Sequence, residues 1–384
     1  MAKRIFRALY LGIMLLIAVV LVVPYFLDRV YYEGPRSDHF DGQRFFNPDG
    51  GDLPPTGPNR YFTPRRILRF VLNDGRPVWP DDVPITPSKP PAHVEGEDMR
   101  VTWIGHATAL IQTQGLNILT DPVWSRYASP FPGIGPERHR APGVRFEDLP
   151  KIDIILVSHS HYDHMDIATL RTLWDRDKPL IVTSLGNDAI LKKAGVDSVA
   201  RDWGQSVAIR PGVDIFVDRV HHWGTRYAKD RNRMLWSGFT VKLPGGNIYF
   251  AGDTGLGDGL WPYEAAAHGP IRFALIPIGS YKPRAMMAAN HIDPAQAVTV
   301  FERLGAMYAL GVHWGTFQLA ADRIDDPPAD LRAALSLAHI EANRFRTPEA
   351  GEPWMIPAIA EGEARPSFAT RKSAAADENS ETSE

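Results

Sequence analysis

Hydrophobic positions follow three different patterns along this chain. From Ala8 to Leu27 they form an uncharged stretch rich in Leu, Ile and Val, which as a helix would be about 30 Å long, one bilayer core. Val22, Val23, Pro24, Tyr25 and Phe26 offer no small-residue cleavage site, so the pattern predicts an uncleaved transmembrane helix rather than a signal peptide. Lys3, Arg4 and Arg7 precede the stretch, and Asp28, Arg29 and Glu33 follow it. That charge bias predicts a single-pass anchor with a cytoplasmic N-terminus and an extracytoplasmic globular part, periplasmic in a bacterium. Residues 33 to about 98 show little periodicity and carry Pro54, Pro55, Pro58, Pro80, Pro84, Pro87, Pro90 and Pro91. They read as an extended arm with a short helix near Arg65 to Leu72. Lys372 to Glu384 holds no large apolar residue and reads as a disordered tail. The resulting organisation is an anchor over 1–30, an arm over 31–98, a large globular domain over 99–365 and a tail over 366–384.

Within the large domain, short apolar runs alternate with amphipathic segments. Ala109–Thr113 and Leu116–Thr120 flank Gln114-Gly115 as a hairpin. Ile152–Val157 is continuously apolar, as a strand covered on both faces should be. Further strands are predicted at 180–183, 214–220, 239–243, 247–250, 273–277 and 308–312. Helices are predicted after Met165, at Asn187–Ala194 with Gly195 closing it, and at Pro294–Leu304 between the cap Asp293 and the stop Gly305. This is an α/β pattern with two sheets and covering helices.

Composition narrows the chemistry. With 44% hydrophobic and 23% charged residues and a formal charge of −3, the 384-residue chain is neither disordered nor a polybasic nucleic-acid binder. It has no cysteine and 13 histidines. Disulfides, thiol nucleophiles and thiolate metal sites are excluded, so any metal is held by imidazole and carboxylate. Directly after the buried strand comes Ser158-His159-Ser160-His161-Tyr162-Asp163-His164. His159 and His161, two apart in an extended segment, point to one side, and Asp163 and His164 follow at the turn into a helix, where they can face a second ion. His221 and His222, Asp253 and His313 each lie just past another predicted strand. Strand ends feeding one crevice is how open α/β sheets build sites.

These segments resemble the metallo-β-lactamase superfamily, and within it the phospholipases D that hydrolyse N-acyl-phosphatidylethanolamine. The narrower resemblance rests on Trp103-Ile104-Gly105-His106-Ala107-Thr108, Leu116 to Pro122 and Ala128 to Pro136. It continues through His222-Trp223, Phe250 to Gly255, Ile276 to Tyr281, His291 to Pro294 and His313 to Phe317, covering roughly residues 95 to 320. It implies a four-layered αβ/βα sandwich with two zinc ions between the sheets. One would be held by His159, His161 and His222, the other by Asp163, His164 and His313, with Asp253 bridging. His221 competes with His222; the His-Trp pair and strand alternation favour His222. Iron or manganese would suit the same donors.

The resemblance further implies a phosphodiesterase that converts a membrane phospholipid to N-acylethanolamine and phosphatidic acid through a metal-bridging hydroxide. Asp163 is expected to orient that hydroxide, Asp253 and His291 to complete the catalytic set, and His106, Tyr281 and Arg284, with neighbouring Lys282, to meet the substrate. Trp124, Tyr127, Phe131 and Pro132 could wall an acyl groove. The expected partners are the phospholipid substrate and the bilayer, with a homodimer as a possible assembly. A lactonase of the same superfamily is an alternative, since one hydroxide can attack carbon or phosphorus. A non-catalytic zinc-stabilised envelope protein is another, although a structural zinc takes four ligands and no open position.

Overall fold

The computed structural model describes residues 2–22, 31–51, 76–131, 133–226 and 230–359. The expected helix near Arg65–Leu72 and the expected disordered tail lie outside the described residues.

The first helix, α1 (Ala2–Val22), starts earlier than expected and includes Lys3, Arg4 and Arg7. Its uncharged part, from Ala8 to Val22, spans about 22 Å, short of a bilayer core of about 30 Å. Among the described residues no helix is long and apolar enough to cross a membrane. The expected transmembrane helix is therefore not supported by the described residues, and the remainder of the expected span, 23–27, lies outside them.

The hairpin follows its sequence signal. β1 (Met99–Gly105) pairs antiparallel with β2 (Thr108–Thr113), and β2 with β3 (Leu116–Thr120). Gln114 and Gly115 both take positive φ, 52° and 71°, as the tight turn between right-twisted strands requires. From β3 the sheet turns parallel: β4 (Ile154–Val157), β5 (Leu180–Ser184) and β6 (Val199–Arg201) lie side by side. The helices α2 (Ile167–Asp177) and α3 (Asn187–Lys193) connect them. β14 (Pro353–Ile356) pairs with β1, closing a seven-stranded sheet of order β14-β1-β2-β3-β4-β5-β6.

The second sheet repeats this plan. β7 (Ser206–Arg210), β8 (Val213–Asp218), β9 (Gly238–Lys242) and β10 (Asn247–Phe250) pair antiparallel. β11 (Ile271–Pro277), β12 (Tyr308–Val312) and β13 (Phe345–Arg346) add in parallel. The helices on this side are α4 (Trp261–Ala266), α5 (Arg284–Met287), α6 (Pro294–Leu304) and α7 (Asp326–Leu337). In α6, Asp293 and Gln296 form a capping box and Gly305 closes the helix at φ 59°.

Alternation within β4 explains the layers. Ile154 and Leu156 join the core between the sheets, with Trp103, Phe239 and Phe273. Ile155 and Val157 join a second core under α2 and α3, with Leu170, Leu173 and Ile190. Each such side chain contributes about 1.5–3 kcal/mol on burial. The outcome is the αβ/βα sandwich, helices outside and two mixed sheets within.

Three expected boundaries shift for local reasons. Ile152 lies ahead of β4 because its amide donates to Asp177 rather than to the ladder. β5 runs one residue beyond the expected end, to Ser184, which pairs with Arg201 of β6. β8 ends at Asp218 because its register with β9 ends at Gly238, leaving residues 219–222 free to turn toward the crevice.

Candidate metal centre

The C-terminal ends of the inner strands of both sheets open into one crevice. Gly252, at φ 61°, lets the Asp253 turn lie against Ser158: a Cβ there would come 2.7 Å from the Ser158 Cβ. The turn after β4 and the turn after β10 are thus packed together across the sandwich.

Around this contact the structure gathers every residue expected to ligate metal. His159, His161 and His222 form one group with donor atoms within 4.8 Å of one another, and His106, Asp163, His164 and His313 form another. Asp253 lies between them, its Oδ2 3.2 Å from His164 Nε2, 3.0 Å from His313 Nε2 and 3.8 Å from His222 Nε2. His221, in contrast, turns its Nδ1 to the Asp49 carboxylate at 2.9 Å.

Electrostatics divide these groups: against the effect of burial, Asp253 and Asp163 raise His164 and His313 above the ordinary histidine value, while the imidazoles of His159, His161 and His222 are lowered. Burial drives His159 well below its ordinary value, helped by His164, His161 and His222. Burial likewise brings His161 down to about 4 and His222 well below 6.5, so these imidazoles are neutral donors. Burial would raise Asp163 and Asp253, but the adjoining histidines outweigh it and hold both carboxylates well below the usual range. Nε2 of His161 and His222 and Oδ1 of Asp253 are buried without a hydrogen-bond partner, and Nε2 of His164 and His313 face only the carboxylates of Asp163 and Asp253. Leaving such atoms unpaired in a protein interior is costly; a divalent ion supplies what they lack, and the donor set suits zinc, iron or manganese.

Supporting contacts fix the donors. Asp121, fully buried, accepts from the Ser158 amide at 2.7 Å and hydroxyl at 2.5 Å, and meets His164 Nδ1 at 2.6 Å. Its motif is part of the resemblance, but its role in orienting His164 was not assigned from sequence; a buried Asp-Pro at a strand end next to the histidine cluster was the available signal. Asp121, His106 and His313 take φ of 30°, 53° and 64°, a left-handed conformation costing on the order of 1–3 kcal/mol per residue outside glycine. Hydrogen bonds hold them there, among them His313 N to His106 O and Asp121 N to Leu156 O, both 2.9 Å.

The residues expected to meet substrate all have partners within the fold. His106 is 1% exposed and its Nε2 donates to Asp163 Oδ2 at 2.8 Å, so it orients a carboxylate and does not face substrate. Burial lowers it to about 3, which keeps it neutral. Tyr281, 3% exposed, donates its hydroxyl to Asp330. Arg284 is occupied by the His291 carbonyl at 2.7 Å, Gln296 at 2.8 Å and Asp293 at 3.2 Å. Lys282 pairs with Asp326. His291 is brought to the centre: its Nδ1 is unpartnered, 3.9 Å from Asp253, and burial lowers it to about 4.

Beside the histidine turn lies a cavity of about 720 Å³, lined among others by Tyr127, Phe131, Tyr162, Met165 and Ile167, with Arg226 in its wall. Trp124 lies elsewhere, its indole donating to the Val144 carbonyl, and Pro132 is outside the described residues.

Comparisons with known proteins agree with this geometry. The beta-lactamase superfamily domain matches residues 116–314. N-acyl-phosphatidylethanolamine-hydrolyzing phospholipase D 1 of Caenorhabditis elegans is 33% identical over 308 residues, 75% of this chain and 86% of that protein. The mitochondrial N-acyl-phosphatidylethanolamine-hydrolyzing phospholipase D of Saccharomyces cerevisiae is 33% identical over 236 residues, 60% of this chain and half of that protein. Among solved structures, a metallo hydrolase from the hyperthermophilic archaeon Ignicoccus hospitalis superposes with a TM-score of 0.51 at 20% identity, over 68% of this chain and all of that one. This last likeness concerns the fold alone.

Proposed function

The chain belongs to the beta-lactamase superfamily and is a metal-dependent hydrolase; on that premise we propose that it is a dinuclear zinc phosphodiesterase of the phospholipase D type. Its substrate is N-acyl-phosphatidylethanolamine or a related phospholipid, and its products are an N-acylethanolamine and phosphatidic acid. The observation that carries the reading is the convergence of buried, unpartnered donor atoms from the ends of both sheets. His159, His161 and His222 would hold one ion and Asp163, His164 and His313 the other, with Asp253 between the two groups.

When bound, the two ions supply positive charge for the phosphoryl oxygens and acidify a water for attack. The chain's own residues do the rest. Asp163, held by His106, orients that water and takes its proton at a carboxylate oxygen. His291, neutral and with a side chain 13% exposed at the edge of the centre, stands where it can relay the proton taken by Asp163 to the departing N-acylethanolamine oxygen. The cavity beside Tyr162 combines apolar walls with guanidinium groups, a match for a lipid that carries both acyl chains and phosphate.

Lipid access would come from the N-terminal segment. Phe6, Leu9, Leu11, Leu15 and Leu16 of α1 are exposed, and Lys3, Arg4 and Arg7 suit an anionic headgroup layer. We place this helix against the bilayer, its exposed apolar side chains among the acyl chains and its basic residues at the headgroups. Vesicle co-sedimentation of the full chain against a chain lacking residues 2–30 tests the attachment; equal binding would refute it.

The catalytic reading is tested with zinc-loaded protein on N-acyl-phosphatidylethanolamine vesicles, a simple phosphodiester and a lactone, with Asp163→Asn as control. Release of N-acylethanolamine that the control lacks is the expected result. Turnover of the lactone alone would replace the lipid reading with a lactonase, and bound zinc without any turnover would favour a structural role.

A further inference from the structure

The segment from residue 31 to 51 has no place in either sheet, yet it reaches the metal centre. Phe40 and Phe45, each 1% exposed, anchor it in the core, and the Phe45 amide donates to the Asn232 carbonyl at 2.7 Å. Beyond this anchor come two polar residues with specific partners. Asn47, 3% exposed, donates its Nδ2 to the His222 carbonyl at 2.9 Å and accepts from Trp236 Nε1 at 3.1 Å. The Asp49 carboxylate meets His221 Nδ1 at 2.9 and 3.0 Å and accepts from the Asp258 amide at 2.7 Å.

These contacts fall where the sheet gives no support. β8 ends at Asp218, so the backbone of His221 and His222 has left the ladder. Its remaining ties run to the next turn, from the Gly255 amide to the His221 carbonyl at 2.6 Å and from the His221 amide to Thr254 Oγ1 at 3.0 Å. The His222 ring is held at one edge by the Asn290 carbonyl at 2.9 Å, and its Nε2 is left for the centre. Asn47 secures the same residue through its carbonyl. Asp49 secures its neighbour and, through Asp258, the turn that begins at Asp253.

We propose that Asn47 and Asp49 are positioning residues of the metal centre. This strap fixes the donor from the turn after β8 relative to the donor from the turn after β10, and so sets the affinity for the ion shared by His159, His161 and His222. The ion of Asp163, His164 and His313, which shares only Asp253 with the strapped turns, is affected far less. The inference rests on the dinuclear reading given above.

The experiment measures zinc bound to the full chain by elemental analysis and by competition with a chromophoric chelator, together with the thermal midpoint of the metal-free protein. Wild type is expected to hold two ions. Asn47→Asp keeps the size and the Trp236 acceptor but loses the donor to His222. It is expected to weaken one of the two ions about 10–100-fold while the other changes far less. Asp49→Ala should do the same, and Asp49→Asn, which can still accept from Asp258, should recover part of the loss. A merely structural strap would lower the metal-free midpoint and leave both affinities at wild-type values, and that result overturns the proposal without touching the hydrolase reading. Wild-type protein that binds no zinc overturns both.

Discussion

Two loops of this protein look alike in sequence and differ in what they do. Both follow a buried parallel strand and both are rich in polar side chains: residues 158–164 after β4, and residues 280–284 after β11. In the first, Nε2 of His161 is buried and unpartnered, and Nε2 of His164 meets only the prospective ligands Asp163 and Asp253. In the second, Tyr281 is taken by Asp330, Lys282 by Asp326, and Arg284 by His291, Gln296 and Asp293. The first loop is incomplete without a cation, and the second is already a closed network. Residue type places polar groups at a strand end; only the count of satisfied atoms separates a binding loop from a structural one.

The largest test of that contrast removes the carboxylate between the two histidine groups. Asp253→Asn replaces a charge facing His164, His313 and His222 with a neutral amide. Hydrolysis should fall roughly 10³-fold, with at least one zinc lost on elemental analysis; full metal content and near-normal rates would break the assignment. Next comes the adjacent pair. His222→Ala should release an ion, whereas His221→Ala should retain both, one of them more weakly through the lost Asp49 contact, and lose about 1–3 kcal/mol of stability by stranding the Asp49 carboxylate, measured by denaturant unfolding. The reverse pattern would exchange their roles. Asp121→Asn should cost about 10–100-fold in metal affinity or rate by loosening His164, read from chelator competition.

The second loop should respond differently. Tyr281→Phe removes one partly exposed hydroxyl-carboxylate contact and should cost about 1 kcal/mol of stability, with turnover within about threefold of wild type. A large rise in KM without loss of stability would return Tyr281 to the substrate site and erase the contrast.

How far these loops were legible in sequence follows from the same physics. The α6 helix was readable to its ends because Asp293, Pro294 and Gly305 act locally, and the hairpin because Gln114-Gly115 sets its own turn. β7, exposed on alternate positions, and the short edge strands β13 and β14 were not, since their pairing is decided by partners far along the chain. The histidine cluster was readable because its donors are contiguous. The fates of His106, Tyr281 and Arg284 were not, because Asp163 lies 57 residues from His106 and Asp330 lies 49 from Tyr281. The strap was hidden for the same reason: Asn47 and Asp49 find His222 and His221 across 175 and 172 residues.

The smallest effect concerns how firmly that strap is docked. His39 lies at its base, stacked on Trp203 at 4.6 Å, with Nδ1 2.6 Å from Asp38 and Nε2 2.8 Å from Asp202. Burial alone would lower its pKa, but the hydrogen bonds to Asp202 and Asp38 outweigh burial and raise it above 6.5. Asp218, Arg219, Glu264 and His268 line the same pocket. A histidine whose folded pKa exceeds its unfolded one stabilises fully below the unfolded value and progressively less as pH rises through the folded value. Docking of residues 37–46 should therefore weaken as pH rises above about 6.5. Hydrogen exchange at the Phe45 and Phe46 amides, which donate to Asn232 and His39, should accelerate between about pH 6 and pH 8.5 beyond the intrinsic rise. His39→Gln, which keeps a polar side chain but cannot titrate, should flatten that extra dependence. If the wild-type and Gln profiles run parallel, the docking does not depend on the His39 proton, and the strap's hold on the metal centre rests on Phe40, Phe45, Asn47 and Asp49.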